Sequence, residues 1–247
     1  MGSITTPRPL KIAILINTDE VPYISLFKSA YTTLFSTLSP KSTINFYSPP
    51  SHSLPSPSEL PSYDLVVIGG GTYVVDEDTP WVVEELEFMK RMVKEYQDMK
   101  IVAICFGHQK LCQALGGELG WNKAGKAEVS GHHHPPSHSC WDKFFPFTTA
   151  PSTLKLHELH RKEISTPAPR FVALAENNQI CLSANGRILT FQGHPEMSFE
   201  LTKRLMQSES LYTKGLSVEE LAILKEGASG VHDGLGVWRR ILEWVRE

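Results

Sequence analysis

Lys100-Ile-Val-Ala-Ile-Cys105-Phe-Gly-His-Gln-Lys-Leu-Cys-Gln-Ala-Leu-Gly-Gly117 reads as a short buried strand, a one-residue corner and a helix. Ile101, Val102 and Ile104 are the β-branched run expected of an inner parallel strand. Gly107 is expected to let the backbone turn sharply, and Gly116 with Gly117 to close the helix. Cys105 then stands at a helix N-terminus, where the dipole and the unpaired N–H groups favour a thiolate. A buried structural cysteine fits the same pattern, and the elbow alone leaves the two readings even.

A distant segment tips the balance. Arg187-Ile-Leu-Thr-Phe-Gln-Gly-His194-Pro-Glu196 reads as a second strand, ended by Gly193 and followed by a histidine and a carboxylate two residues apart. Residues two apart in extended chain project to one side, so Glu196 can hold the His194 imidazole and stabilise its protonated form. Pro195 keeps the segment from coiling into a helix. With Cys105 these form a nucleophile–base–orienter set.

A third strand, Asp64-Leu-Val-Val-Ile-Gly69-Gly-Gly71, runs into three glycines. Without a Cβ, a main-chain N–H there can approach a reacting carbonyl, so Gly71 and the N–H of Phe106 are candidate oxyanion donors. A nucleotide phosphate loop is the rival reading. Thr72-Tyr73-Val74-Val75 follows, with no Gly-Lys-Ser/Thr and no further glycine, which disfavours it.

The rest of the chain organises around these pieces. Lys11 to Ile16 is a first strand, Tyr23 to Leu38 a helix, Thr43 to Tyr47 a second strand, and Ser48 to Ser62 a surface loop. Trp81 to Gln97 is a helix begun at Thr79-Pro80. After Gly117 the pattern changes to an antiparallel excursion, with strands expected at 126–129, 144–148, 153–156, 171–175, 179–183 and 188–192. Asn185-Gly186 marks a tight hairpin turn. Gly131 to Pro136, with three histidines, reads as a polar loop, and no spacing there matches a closed zinc site. Helices are expected from Ser198 to Ser208, from a capping box at Ser217 to Glu220, and from Gly234 to Glu247. The order predicts an α/β, three-layer fold around a wound, mostly parallel sheet, read as one domain over 1–247, with ligands at the carboxyl ends of strands.

Composition narrows the function. Of 247 residues 41% are hydrophobic, enough for a core, and the formal charge of −3 with no basic stripe argues against nucleic acid. The four cysteines have no paired spacing of a disulfide framework or zinc site. Neither a signal peptide nor a run long enough to span a bilayer is apparent, so a cytoplasmic setting without membrane partners is expected.

Ala103-Ile104-Cys105-Phe106-Gly107-His108-Gln109 followed by His194-Pro195-Glu196 resembles the class I glutamine amidotransferase family, whose pattern is Gly-x-Cys-x-Gly-x-Gln and a distant His-Pro-Glu. The elbow with a later Leu-His-x-x-His-Arg is most similar to the free-standing branch that includes plant γ-glutamyl peptidases and fungal relatives. The resemblance implies a flavodoxin-like fold. It also implies Cys105 as nucleophile, His194 as base, Glu196 as orienter, Gly71 and Phe106 as oxyanion donors, and Gly70, Gln109 and His160 as substrate-pocket residues, with no metal or other cofactor.

Two positions depart from the pattern: Ala103 replaces a glycine, and Lys162 stands where His-x-Asp would place an acid that helps recognise the α-amino group of glutamine. Glu158 and Glu163 are the nearby acids able to stand in. The expected activity is stand-alone hydrolysis of a γ-glutamyl or glutamine-like small molecule. The alternatives are a glutaminase that delivers ammonia to an acceptor synthetase subunit, a thioester or lactone hydrolase of a specialised biosynthetic pathway, and a non-catalytic binding module. With no stretch left over for a nucleotide-binding synthetase domain, the stand-alone reading is preferred.

Overall fold

The computed structural model describes residues 7–71, 78–122, 128–147, 153–206, 217–229 and 232–247. Alternation of apolar residues along the strands builds the layers. In β1 (Lys11–Asn17), Ile12, Ile14 and Ile16 enter one core, while Ala13 and Leu15 enter the other. The same division holds in β3 (Leu65–Gly71) and β4 (Lys100–Ile104). A strand buried on both faces needs a helix on each, and the sequence supplies them. Helices α1 (Val21–Leu38) and α7 (Gly234–Arg246) contribute to the first core; α2 (Pro80–Glu95) and α3 (Phe106–Ala114) contribute to the second.

The main sheet has seven strands in the order β2-β1-β3-β4-β11-β10-β9, where β2 is Thr43–Tyr47, β9 Phe171–Ala173, β10 Ile180–Ser183 and β11 Ile188–Phe191. The first five strands are parallel, whereas at the far edge β10 runs opposite to β11 and β9 pairs antiparallel with β10. This is the wound sheet with an antiparallel excursion that the sequence predicts, in a flavodoxin-like order. Gly186, at φ +68°, turns the β10–β11 hairpin. Because β3, β4 and β11 are neighbours, Gly69–Gly71, Cys105 and His194 leave the sheet side by side at its carboxyl end.

Two ribbons stand beside the sheet. One pairs β5 (Glu118–Trp121) with β8 (Lys162–Thr166), and the other pairs β6 (Glu128–His134) with β7 (Leu154–His160). The histidine-rich segment expected as a loop is therefore a strand: its backbone pairs from His132 opposite Leu156 to His134 opposite Leu154. The side chains of His132 to His134, and with them the metal question, lie outside the described residues, as do Lys126, Ala127, Thr148 and the end of the helix expected to reach Ser208. Strands β5 and β8 are unforeseen, because each is short and only partly buried.

The strand expected over 144–148 is instead a single helical turn, α4 (Trp141–Phe144). That turn lets Trp141, Phe144 and Phe145 enter one core together, which the alternation of a strand would prevent. Ser198 caps α5 (Phe199–Leu205) by accepting from the Leu201 N–H, and Ser217 with Glu220 forms the capping box of α6 (Val218–Ala228). Among the described residues no helix is long and apolar enough to cross a membrane.

Candidate active site

Cys105 is the corner itself. Its backbone sits at φ +50°, ψ −104°, a region a non-glycine residue enters at a cost of about 1–3 kcal/mol. The sharp turn expected of Gly107 therefore falls on the cysteine. Gly107 serves the packing instead. A Cβ there would collide with the Ile68 carbonyl, so only glycine lets α3 lie this closely on β3. Gly116, at φ +91°, ends the helix as expected. The elbow is pinned by the Cys105 N–H, which donates to the Phe191 carbonyl at 2.8 Å, and the thiol lies 3.8 Å from the Leu159 carbonyl.

His194 Nδ1 lies 2.8 Å from Glu196 Oε1, and both side chains are almost fully buried. A carboxylate there accepts the Nδ1 proton, which leaves Nε2 as the nitrogen able to take a proton from Cys105. Burial by itself would drive the imidazole pKa down. The carboxylate of Glu196, with Cys105 beside the ring, outweighs it, and the ring is held well above the usual histidine range. Burial pushes two other thiols up, Cys112 to about 11 and Cys181 to about 12.

The three glycines close the other side. A Cβ on Gly70 would come 2.8 Å from Cε1 of His194 and 3.7 Å from Cβ of Cys105, so Gly70 is the wall against which the pair sits. Gly71 faces Phe106 and Asn17 instead; a Cβ there would come 3.1 Å from Phe106 Cγ and 2.6 Å from the Asn17 carbonyl. Asn17 Nδ2 donates to the Gly69 carbonyl at 2.9 Å and ties this segment to β1. Phe106 opens α3, so its N–H is among those without an intrahelical acceptor.

Gln109 and His160 meet around one backbone oxygen. Gln109 Nε2 donates to the Lys162 carbonyl at 2.5 Å and to Gln192 Oε1 at 2.8 Å, and His160 Nδ1 donates to the same Lys162 carbonyl at 3.0 Å. His160 Nε2 is 3.1 Å from Glu158, whose fully buried carboxylate fills the space that a Cβ on Gly193 would take. Glu163 accepts a long hydrogen bond from Gln179, 3.4 Å. The Lys162 ammonium lies 4.9 Å from the centre of the exposed Trp121 ring. Beside the α3 turn, His108 hydrogen-bonds Thr190 at 2.7 Å, and burial lowers its pKa to about 3.

All eight site residues expected from sequence thus lie at this end of the sheet or in its walls. Asn17 and Gln192 were missed. Neither lies in a recognisable motif, although Gln192 directly precedes Gly193-His194 and was a readable neighbour.

The family model for class I glutamine amidotransferases matches residues 28–212. A glutamine amidotransferase-like protein, chyE, of Penicillium rubens is 33% identical, covering 96% of this chain and 98% of the relative. Gamma-glutamyl peptidase 3 of Arabidopsis thaliana is 26% identical over 62% of this chain and 64% of its own. Among solved structures, a glutamine amidotransferase of Thermotoga maritima superposes with a TM-score of 0.72 at 20% identity, covering 98% of this chain and all of that one, a likeness of fold.

Proposed function

The chain belongs to the class I glutamine amidotransferase family, and from that premise we propose that it is a cysteine hydrolase acting by itself on a γ-glutamyl amide. One observation carries this reading: a buried imidazole stands between the Glu196 carboxylate, 2.8 Å away, and the Cys105 thiol on a strained elbow. The resemblance of part of the chain to a γ-glutamyl peptidase favours hydrolysis over ammonia transfer.

In the proposed reaction His194 takes the Cys105 proton at Nε2, and Sγ attacks the side-chain carbonyl of the γ-glutamyl group. Charge develops on the carbonyl oxygen, which the N–H groups of Phe106 and Gly71 receive. As the C–N bond breaks, His194 returns the proton to the departing amine and a thioester remains on Cys105. Water then gives its proton to the same nitrogen, attacks the thioester, and releases the acid and the free thiol. The base must be neutral to accept a proton and charged to donate one; Glu196 makes the charged form cheap to reach.

Lys162 bears on the substrate. The family's acid is missing at this position and the Lys162 ammonium lies over the Trp121 ring, so the α-ammonium that glutamine and glutathione share is held less tightly there, and the choice between them falls to the leaving amine. The test is turnover of glutathione and of γ-glutamyl dipeptides, with intact mass recording an acyl adduct on Cys105. Wild type should turn over at least one, Cys105→Ser none, and Lys162→Asp should gain glutaminase activity. With Cys112 and Cys181 held as thiols, iodoacetamide near neutral pH should find Cys105 ahead of both. An alkylatable Cys105 that forms no adduct with any γ-glutamyl compound would overturn the assignment.

A further inference from the structure

His194 is held by its backbone as well as by its ring. Its N–H donates to the His157 carbonyl at 2.8 Å, in an isolated bridge between β7 and the segment after β11. Its carbonyl faces the other way and lies 3.1 Å from Nε2 of His232, just before α7. The tautomer of His232 follows from its second nitrogen. The Gly234 N–H donates to Nδ1 at 3.0 Å, so Nδ1 carries no proton and Nε2 is the donor.

The two clamps are joined. The His157 and His232 rings stack with centroids 4.4 Å apart and planes 18° from parallel. Asp233 anchors the segment to β7 twice, its N–H donating to the Lys155 carbonyl at 3.0 Å and its Oδ2 accepting the Lys155 N–H at 2.7 Å. Gly234 sits so close to the Pro195 carbonyl and the His232 ring that any Cβ would collide with both. Burial disfavours the charged form of both rings, lowering His157 to about 3 and His232 below the usual range.

We propose that His232 is a positioning residue of the active site: its Nε2–H holds the His194 carbonyl and so fixes the imidazole against Cys105. The proposal rests on the reading of His194 as the base. The imidazole must reach a thiol on one side and Glu196 on the other, and a single-bond rotation of its backbone spoils both. Sequence places His232 38 residues beyond His194, in no motif, so its role depends on α7 docking as it does.

The test uses two variants and the rate of Cys105 alkylation by iodoacetamide from pH 5 to 9. His232→Phe keeps a ring over His157 and removes the donor; His232→Gln places an amide N–H where Nε2 stood. The Phe variant should alkylate about ten-fold slower at pH 6, the scale of loss when a partner that orients a functional histidine is removed. The Gln variant should recover to within about three-fold of wild type. A folded Phe variant with the wild-type rate and pH profile overturns the proposal, and so does a folded Gln variant as slow as Phe. Should the Phe variant not fold, His232→Leu takes its place: the same slowing is expected, and a folded Leu variant at the wild-type rate overturns the proposal. If wild-type Cys105 reacts no faster than in His194→Ala, the reading of His194 as base fails and the proposal fails with it.

Discussion

A single methyl group at Gly70 would meet the His194 ring at 2.8 Å, closer than real Cβ contacts come, and the ring has little room to retreat because Glu196 grips its far side. Gly70→Ala should therefore leave the fold intact and cut kcat by about a hundred-fold or more, since displacement by about 1 Å is enough for such a loss. Steady-state kinetics with the best γ-glutamyl substrate, beside the Tm of the variant, checks this. A Gly70→Ala enzyme within a few-fold of wild type would mean the imidazole has more freedom than its buried position allows. Cys105, His194 and Glu196 could be picked out as candidates because the chemistry proposed for them demands particular residue types at strand ends. Gly70 was read as a pocket residue from resemblance; that it walls the Cys105–His194 pair was not readable, because closeness to His194 depends on β3 and β11 flanking β4.

Helix α2 carries a buried carboxyl toward the same end. Glu85 is 1% exposed, and burial raises its pKa from 4.5 to about 8, against the opposing pull of a hydrogen bond with Asn17 and the charge of Lys110. The folded state thus holds a proton there that the unfolded state releases near 4.5. Between those two values the folded state binds more protons, so stability falls as pH rises from about 4.5 to 8, by an amount on the order of a few kcal/mol. Glu85→Gln, which cannot ionise, should flatten that slope. Urea midpoints at pH 5, 6.5 and 8 measure it, and equal slopes for the two proteins would count against a protonated Glu85. The helices themselves were legible from period and caps: α1, α2, α6 and α7 begin within two residues of their expected starts. The turn at Trp141–Phe144 was not, because four residues rich in aromatics suit a strand equally well and packing alone chose between them.

Across the molecule, α7 joins the far end of the chain to its beginning. Trp238 is fully buried and meets Phe35 edge-on at 5.3 Å and Tyr31 at 6.1 Å, both on α1. Loss of that ring leaves a cavity that rigid neighbours cannot fill, so Trp238→Ala should cost about 3–5 kcal/mol, read from denaturant unfolding. Because His232 and Gly234 lead into this helix, the same variant should slow Cys105 alkylation at temperatures where it is still folded. Unchanged reactivity would mean that the 232–234 segment is held by Asp233 and β7 alone.

The order of strands and helices up to Gly117, the elbow, the glycines and the His-Pro-Glu could be read from the chain, since periodicity and turn chemistry act over a few neighbouring residues. Whether Lys162 reaches the pocket or lies over Trp121, which side chain Gln109 meets, and what holds the His194 carbonyl were decided by tertiary packing. Those contacts join residues 38 to 83 positions apart, or set strands side by side that are far apart in sequence. Local sequence rules carry no information about such distances; only the docking of β7, β8 and α7 onto the sheet supplies it.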